Sequence, residues 1–475
     1  MVDQISAFFD LWFASRGNAD AIAERRKRRL NRLVTYATEH SPYFARAYAH
    51  LPGSVSELQA LPPTEKTDLM RQFDDWVTDR QVTWREVKAF VSDKSLVGRS
   101  FQNRYMVWTT SGSSGVPAVL VFDANALTVT TVLAARAVAR RLTFQTWAGL
   151  VGSGGRIASI FATGGHYLGA AVMSRRQQMF PWRRSGERAL SVLAPLGTLV
   201  EELNDFQPGV IASYPSMLAI LAKEQSAGRL RIDPFLVAAV GETLFSTARQ
   251  LIERAFDCPV LNNYSASEAP LLTFECEEEN LHLNADWYII EPIDRNREAV
   301  SPGTKSDSLL VTNLANYVQP IIRYDLGDSV TVHPERCVCG SIFPVIAVEG
   351  RADEILRFRA SDGKAVDISP LAITTVVEET PGVYRSQIVQ TAEKRLEVRL
   401  QCEEGADAAL VWAGVHANLR RYLDSQGLAH VTVERADEPP SANPRSGKFR
   451  AVWSEIAENK QKRRAGDKPN PLPEG

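Results

Sequence analysis

Residues 105–122 read YMVWTTSGSSGVPAVLVF, and this stretch indicates the fold class more directly than any other. The apolar residues 105–108 and 118–122 are typical of strands, and residues 109–117 between them carry five hydroxyl side chains and two glycines. Glycine lets the backbone approach an anion closely, so that hydroxyls and amides can surround phosphate oxygens. No Walker A motif is present, since no Gly-Lys-Ser/Thr follows and the next residues resemble a strand. The stretch therefore predicts a phosphate-binding loop, with a plain Ser/Gly turn as the alternative.

Around this stretch, strand-like and helix-like segments alternate as far as about residue 350. Such alternation is typical of an α/β domain with a largely parallel sheet flanked by helices. Farther on, short alternating strands such as 395–400 and one amphipathic helix with Val411, Val415 and Leu419 on one face indicate a small α+β domain. The predicted strands of the larger part are 209–212, 236–240 and 309–312, and its predicted helices include 217–224 and 247–256.

The composition excludes several classes of protein. The 475 residues are 44% hydrophobic and 23% charged, as in ordinary globular proteins and unlike disordered or fibrous chains. Lysine and arginine (54) nearly balance aspartate and glutamate (56), so the net charge of −2 gives no general attraction to nucleic acid or anionic lipid. The basic run at residues 25–29 can in principle bind a polyanion, but apolar residues at helical spacing beside it favour a solvent-facing side of a helix.

The cysteine count and the hydropathy indicate the compartment. Five cysteines are too few for a disulfide framework in a chain of this length, and their odd number leaves one thiol unpaired. No apolar stretch reaches the roughly 18 to 20 residues that a bilayer span requires. We therefore expect a cytoplasmic protein that binds neither membranes nor nucleic acid.

Four further motifs follow the glycine-containing loop. They are Tyr264-Ser265-Ala266-Ser267-Glu268 with the preceding Gly241-Glu242, Arg323-Tyr324-Asp325-Leu326-Gly327-Asp328, Gly350-Arg351-Ala352-Asp353-Glu354, and Pro444-Arg445-Ser446-Gly447-Lys448. In this order, the five motifs resemble the signature series of the adenylate-forming superfamily, which includes acyl-CoA synthetases, non-ribosomal peptide adenylation domains and luciferases. The resemblance extends from about residue 100 to about residue 455.

Within the superfamily, the sequence is most similar to the phenylacetate–CoA ligase and CapK-like subgroup. The grounds are the loop that ends in Val-Pro-Ala, the Cys337-Val338-Cys339-Gly340 insertion and the Ser-Pro-Tyr-Phe sequence of residues 41–44. The resemblance implies an ATP- and acid-binding domain over residues 1–350 and a small mobile lid domain over residues 351–457. Residues 458–475 are rich in charge, proline and glycine, and are expected to form a flexible tail.

The resemblance also assigns residues to ATP. Tyr264 is an aromatic surface on which adenine can stack, although an ordinary core tyrosine is the alternative. Asp328 can accept both ribose hydroxyls and Arg351 can reach ribose or phosphate, unless the two form only a surface ion pair. The implied ATP-binding residues are Thr109, Thr110, Ser111, Gly112, Ser113, Ser114, Gly115, Gly241, Glu242, Tyr264, Asp328 and Arg351.

Three residues are implied to be catalytic. Glu268 offers a carboxylate for Mg²⁺, and Ser267 places a hydroxyl near the α-phosphate. Lys448 lies in a loop rich in proline, serine and glycine, and brings a positive charge to the reacting carboxylate and phosphate, unless it is merely a solvated loop lysine. Asp353 stands where the family has its hinge. Asp325 replaces the arginine that is usual in its motif, which puts a negative charge near the nucleotide.

The residues after position 160 fall where the family lines its acid pocket. Aromatic rings beside glycines favour a flat aryl or arylacetic acid. His166 either contacts the carboxylate of the acid or caps the turn. The expected pocket residues are Phe161, Gly164, Gly165, His166, Tyr167 and Tyr214.

Three cysteines and one histidine form a candidate zinc set. Cys276 and His282 lie in one segment, and Cys337 and Cys339 follow about 55 residues later. Three thiolates and an imidazole complete a tetrahedral coordination sphere, and the resemblance implies a structural zinc in some members of the subgroup. Four residues without a metal are the alternative.

These features together indicate a ligase that activates a carboxylic acid with ATP and Mg²⁺ and then forms a thioester with coenzyme A. The alternatives are transfer to an amine or to the phosphopantetheine thiol of an acyl carrier protein, and a catalytically silent nucleotide-binding homologue. The retention of Lys448, Glu268 and Asp328 argues against the silent homologue. A homodimer is compatible with these expectations.

Overall fold

The structure is a computed structural model that describes residues 4–50, 58–110, 118–140, 149, 152–349, 355–403, 405–441 and 450–456. These residues form two compact units. The larger contains the described part of residues 1–191 and 200–350, and the smaller contains residues 192–199 and the described part of residues 351–475. None of the described helices has the length and apolar character needed to cross a membrane.

The described part of the chain contains helices and strands throughout both units. The helices are α1 (Gln4–Arg16), α2 (Ala19–His40), α3 (Pro42–Ala47), α4 (Lys66–Arg71), α5 (Phe73–Trp76), α6 (Trp84–Ser92), α7 (Ala124–Ala139), α8 (Leu168–Met179), α9 (Leu196–Phe206), α10 (Pro215–Ser226), α11 (Ser246–Phe256), α12 (Pro370–Glu378) and α13 (Ala408–Ser425), with short 3₁₀ helices at Leu58–Ala60, Lys94–Leu96 and Pro181–Gly186. The strands are β1 (Met106–Thr109), β2 (Val119–Phe122), β3 (Ile157–Phe161), β4 (Glu187–Ser191), β5 (Val210–Ser213), β6 (Leu236–Ala239), β7 (Val260–Asn262), β8 (Thr273–Glu275), β9 (Leu281–Leu283), β10 (Tyr288–Ile293), β11 (Ser308–Asn313), β12 (Ile321–Asp325), β13 (Ser329–Val332), β14 (Val345–Glu349), β15 (Leu356–Arg359), β16 (Ala365–Ile368), β17 (Val383–Ala392), β18 (Arg395–Cys402), β19 (Thr432–Arg435) and β20 (Val452–Ser454).

A five-stranded parallel sheet determines where the candidate site lies. Its strand order is β4-β3-β5-β6-β7, and every neighbouring pair is parallel. A helix follows each of its first four strands in the sequence, as in repeated β-α-β units. Because all five strands run in one direction, the residues that follow them lie along one edge of the sheet.

The other sheets of the larger unit are antiparallel. β1 and β2 pair with each other on either side of the glycine-containing loop. β10, β11 and β12 form a second sheet, and β13, β14, β9 and β8 form a third. The α/β class is confirmed. Within the larger unit, the described strands pair in parallel only in the five-stranded sheet. The strand predicted at 309–312 is β11, which pairs antiparallel with β10 and β12.

The N-terminal helix pair explains the basic run at residues 25–29. α2 buries Ile22, Leu30, Leu33, Val34 and Ala37 along one side. Arg25 and Arg29 form ion pairs with Asp10 of α1, while Lys27 and Arg28 are exposed. The run therefore lies on the polar side of an amphipathic helix, as the apolar spacing predicts.

The smaller unit combines a mixed sheet with two helices. In the sheet β19-β18-β17-β20, β17 and β18 are antiparallel, whereas β20 pairs with β17 and β19 pairs with β18 in parallel. α13 buries Val411, Val415, Leu419, Tyr422 and Leu423 along one face, as expected from their spacing. The division into domains at 350/351 stays a prediction, because residues 350–354 and the expected tail 458–475 lie outside the described residues.

Candidate active site

Residues from separate sequence motifs meet at the carboxyl edge of the parallel sheet. Phe161 ends β3, Tyr214 follows β5 by one residue, and Gly241 and Glu242 follow β6. Tyr264 comes two residues after β7. In open parallel sheets this edge is the usual position of a ligand site.

Tyr264 and Asp328 form one side of the candidate nucleotide site. The backbone amide of Tyr264 donates to Oγ1 of Thr273 at 2.8 Å, which fixes the residue against β8. Its hydroxyl donates to Oδ2 of Asp328 at 2.7 Å. Both side chains are half-buried, so the ring and the carboxylate retain surface on which a ligand can bind. Hydrogen bonding to a carboxylate fixes the tyrosine hydroxyl more strongly than a neutral acceptor does.

Glu268 lies deeper in the same unit and is also fixed by its neighbours. Glu268 is only 7% exposed, and its Oε1 accepts a hydrogen bond of 2.9 Å from the Tyr324 hydroxyl. The Glu268 carbonyl accepts from the Asn313 amide at 3.0 Å. Burial raises the pKa of Glu268, and the positive charge of Lys66 offsets only part of that effect.

The carboxylate of Asp328 also acts on Glu268. The negative charge of Asp328 contributes to the raised pKa of Glu268, because two like charges close together disfavour ionisation. A divalent cation with oxygen ligands would remove this repulsion. Glu268 therefore has the chemistry of a magnesium ligand.

Hydrogen bonds hold the described residues that flank the predicted phosphate loop. The Thr110 amide donates to the Ala118 carbonyl at 2.9 Å, and the Ala118 amide donates to Oγ1 of Thr110 at 2.8 Å. The indole of Trp108 donates to the Ser267 carbonyl at 3.0 Å, which joins β1 to the segment that carries Glu268. Ser111, Gly112, Ser113, Ser114 and Gly115 lie outside the described residues.

Phe161 and Tyr214 form an aromatic corner at the same edge. Their ring centroids are 5.4 Å apart and the rings are inclined by 75°. The Tyr214 hydroxyl accepts from the Ala162 amide at 3.2 Å, which fixes the ring. Gly241 has φ +79°, and a Cβ at that position would lie 3.1 Å from the Tyr214 ring. Glycine is therefore required by both the backbone and the close approach of the ring.

His166 is buried and bonded to the protein. Its Nε2 lies 3.0 Å from the Asp93 carbonyl oxygen, and its ring centroid is 5.2 Å from that of Phe90. Its own carbonyl accepts from the Thr109 amide at 2.7 Å. Of the two expected roles, contact with the carboxylate of the acid and capping of the turn, these contacts favour the second. The neighbouring predicted pocket residues Gly164, Gly165 and Tyr167 lie in the same segment between β3 and α8.

The Glu242 carboxylate supports a helix. It accepts from the backbone amide of Ser216 at 2.9 Å and from the Ser216 hydroxyl at 3.0 Å. Ser216 lies in the first turn of α10, where backbone amides have no partner within the helix. Glu242 thus fixes the start of α10 next to Tyr214.

The candidate zinc residues come together as a compact cluster. The ligand atoms of Cys276, His282, Cys337 and Cys339 all lie within 4.8 Å of one another. Sγ of Cys276 is 3.8 Å from Sγ of Cys337, and Sγ of Cys339 is 3.3 Å from Nε2 of His282. A tetrahedral zinc ion would separate such atoms by about 3.5 to 3.8 Å. The four residues therefore fit a zinc ion in number, type and spacing.

The surroundings of this cluster determine the protonation of its possible metal ligands. Nδ1 of His282 lies 2.8 Å from the Phe343 carbonyl oxygen, a contact that assigns the proton to Nδ1 and leaves the Nε2 lone pair for a metal. Burial lowers the pKa of His282, which keeps the imidazole neutral. Burial raises the pKa of Cys339 to about 12, so a bound cation would be needed to hold this thiol as a thiolate.

The structure adds residues that the sequence did not indicate. Tyr324 holds Glu268, Trp108 holds Ser267, and Lys66 acts electrostatically on Glu268. Tyr324 lies in the Arg323–Asp328 motif, and its position in that motif is the one sequence signal of its role. Arg351, Asp353 and Lys448 lie outside the described residues, and their roles stay predictions.

A known protein resembles the chain over most of its length, and a second one over less than half. A phenylacetate–coenzyme A ligase from Thermus thermophilus is 26% identical in an alignment of 463 positions that covers 89% of this chain and 94% of that protein. Protein CapK from Staphylococcus aureus is 28% identical over 213 residues, which are 44% of this chain and 45% of CapK. No model of a known protein family matches the chain.

A solved structure shows the same fold. It is 2-hydroxyisobutyryl-CoA ligase in complex with 2-HIB-AMP and CoA, with a TM-score of 0.55 and 20% identity over 96% of this chain and 94% of that one. The fold is that of a coenzyme A ligase of known structure. Together with the relatives in sequence, it supports an adenylate-forming protein that is similar to phenylacetate–coenzyme A ligases.

Proposed function

We propose that the chain is an AMP-forming acid–coenzyme A ligase, which converts a carboxylic acid and ATP to an acyl-adenylate and then to a thioester. The observation that carries this proposal is a pair of hydrogen bonds, one between Tyr264 and Asp328 and one between Tyr324 and Glu268, which joins the segment after β7 to residues 324–328. The similarity to the phenylacetate–coenzyme A ligase, of which 94% aligns with this chain, supports the proposal.

In the first step, a carboxylate oxygen of the acid attacks the α-phosphorus of ATP, and the bond from that phosphorus to the β-phosphate oxygen breaks. Pyrophosphate leaves and the acyl-adenylate remains. Tyr264 and Asp328 orient the adenosine, and the residues 109–115 bind the phosphates. Lys448 places a positive charge at the carboxylate and α-phosphate, where charge shifts in the transition state. Holding the two reactants in line supplies much of the rate.

Glu268 holds Mg²⁺ in this proposal, with the Ser267 hydroxyl near the α-phosphate. When bound, the ion neutralises phosphate oxygens and so favours attack by an anionic carboxylate. The raised pKa of Glu268 requires a pH at which the carboxyl is ionised, or an ion that lowers that pKa.

In the second step, a thiol sulfur attacks the acyl carbon, the bond from that carbon to the phosphate oxygen breaks, and AMP leaves. The small domain changes its position about Asp353, which removes Lys448 and admits the thiol. Arg351, in the same motif, contacts ribose or phosphate. Free coenzyme A is the acceptor that we propose, with an acyl carrier protein or an amine as the outcomes that would replace it.

The proposed acid is an aryl or arylacetic acid. The inclined rings of Phe161 and Tyr214 offer one face and one edge to a flat substrate, which is a favourable arrangement for aromatic contacts. Gly241 lacks a side chain where the Tyr214 ring comes close, and so leaves the corner open. Gly164, Gly165 and Tyr167 complete the proposed pocket.

A structural zinc ion at Cys276, His282, Cys337 and Cys339 is part of the same proposal. When bound, zinc cross-links the segments that carry these four residues and contributes to folding. A cytoplasmic location fits five cysteines of which none forms a disulfide. A homodimer is a further expectation, which sedimentation of the purified protein would measure.

The deciding experiment measures pyrophosphate release with ATP and a panel of aryl, arylacetic and fatty acids, with and without coenzyme A. We expect release with at least one aryl or arylacetic acid, and a stable thioester only when a thiol is present. A second arm replaces coenzyme A with a holo-acyl carrier protein or an amine. Pyrophosphate release without thioester from coenzyme A, together with product from either of these acceptors, would reassign the second step. No acid-dependent release from the whole panel would refute the proposed function.

A further inference from the structure

Gln387 makes an unusual set of contacts in the smaller unit. It lies in β17, is 2% exposed and belongs to none of the superfamily motifs. Its Nε2 donates to the Ser441 carbonyl at 2.9 Å and to the Arg450 carbonyl at 2.7 Å. Its Oε1 accepts from the Ser441 amide at 3.0 Å. One buried side chain thus uses both donors and its acceptor on two backbone positions nine residues apart.

These two positions are the ends of the segment that contains the proposed catalytic lysine. Residues 442–449, which include Lys448, lie outside the described residues, and Ser441 and Arg450 stand directly before and after them. After Arg450 the backbone is also held by strand pairing, because the Ile388 amide donates to the Ala451 carbonyl at 2.8 Å. Before the segment, Gln387 bonds both the amide and the carbonyl of Ser441.

We propose that Gln387 is a positioning residue for Lys448. This inference rests on the proposed function, in which Lys448 delivers its charge during adenylation. Tying both ends of a short segment reduces the number of conformations that the segment can adopt. Because a displacement of about 1 Å can cost about 100-fold in rate, an anchor outside the site can affect the chemical step.

The substitution Gln387→Leu tests this role with little change in side-chain size. It removes the three hydrogen bonds and leaves the Ser441 amide and the two carbonyls without this partner. The variant therefore releases the Ser441 end of the segment, while pairing of β17 with β20 still holds the Arg450 end.

Gln390→Leu is the matched control. Gln390 lies in the same strand, is 1% exposed and donates from Nε2 to the Arg357 carbonyl at 2.7 Å. Its replacement also removes a buried amide from β17, but Gln390 bonds a different segment. A loss that arises only from a weakened sheet would affect both variants.

The experiment separates the two half-reactions in the whole 475-residue chain. Adenylation is measured as acid-dependent exchange of labelled pyrophosphate into ATP, and thioester formation as consumption of supplied acyl-adenylate by coenzyme A. We expect Gln387→Leu to lower adenylation about 10- to 100-fold and to leave thioester formation within about 2-fold of wild type. Gln390→Leu should leave both within about 2-fold, and Gln387→Leu should cause no further loss in a Lys448→Ala background.

A second measurement is independent of activity. Trypsin can cleave after Arg445 and Lys448, and we expect cleavage there to be several-fold faster in Gln387→Leu than in wild type or Gln390→Leu, under conditions where all three are folded. Equal behaviour of the two variants in adenylation and in cleavage would overturn the role of Gln387. If wild type activates no acid, or if Lys448→Ala is fully active, the proposed function fails, and cleavage alone then decides whether Gln387 holds the segment.

Discussion

At the residue scale, Glu268 is proposed to bind Mg²⁺, but its burial disfavours the ionised carboxylate that binding requires. Burial raises the pKa of Glu268 above its value of about 4.3 in an unfolded chain, so the folded state retains the proton more readily. As the pH rises above about 4.3, ionisation therefore lowers the free energy of unfolding. We expect Glu268→Gln to increase that free energy by on the order of 1 kcal/mol, and more at pH 8 than at pH 5. Urea unfolding at the two pH values measures the difference.

The same substitution should reduce Mg²⁺-dependent adenylation about 100-fold, because the amide is a poor ligand for the ion. Glu275→Gln is a matched control, since Glu275 is also buried but is paired with Arg249. Its loss leaves a buried guanidinium and should destabilise the fold. We expect Glu275→Gln to lower the free energy of unfolding. If Glu268→Gln lowered it as well, burial would not disfavour the charge of Glu268 as we infer.

The Tyr264 hydroxyl also has a testable role at this scale. Tyr264→Phe keeps the ring but removes the hydrogen bond to Asp328, and hydrogen bonds to charged groups contribute about 1.5 to 3 kcal/mol. We expect the KM for ATP to rise roughly 10-fold and the KM for the acid to stay near its wild-type value. Tyr288→Phe, which removes a buried hydrogen bond to the Pro270 carbonyl, serves as the control and should leave the KM for ATP unchanged. An unchanged KM for ATP in Tyr264→Phe would show that the Tyr264 hydroxyl does not orient Asp328 for ATP binding.

At the scale of elements, the proposed zinc ion would join two strand connections. Cys276 directly follows β8, His282 lies within β9, and Cys337 and Cys339 lie between β13 and β14. We expect about one zinc ion per chain, and we expect Cys339→Ser to lose the metal and to lower the melting temperature by roughly 5–10 °C. Elemental analysis and thermal unfolding of the same sample measure both. Cys258→Ser, outside the cluster, should retain the metal, and wild-type protein without zinc would contradict the proposal.

The sequence predicts individual elements better than it predicts their partners. Residues 236–240 were expected to form a strand and β6 is Leu236–Ala239, because a short run of apolar residues bounded by turns is a local signal. The partner of a strand is not local. The strand predicted at 309–312 pairs with residues 288–293 and 321–325 in an antiparallel sheet, and hydropathy contains no information about that pairing.

At the scale of the whole molecule, motif order indicated the fold and a candidate site, but not the contacts that hold the candidate site together. Tyr264 and Glu268 were found because their residue types match a known series. Tyr324 reaches Glu268 across 56 residues of sequence, and Trp108 reaches Ser267 across 159. Such contacts depend on how strands and helices pack, so neither spacing nor residue type reveals them. The zinc residues were identified because their donor atoms alone suggest a ligand set.

Two of the hydrogen bonds at the site join the same two segments. Tyr264 bonds Asp328, and four residues later along the first segment Glu268 bonds Tyr324, four residues earlier in the second. The two segments therefore run antiparallel to each other, and both hydrogen bonds belong to the same register. An insertion or deletion of a single residue between positions 264 and 268, or between 324 and 328, would break at least one of the bonds. Insertions and deletions within these two stretches should consequently abolish adenylation, because they separate at least one of the two pairs.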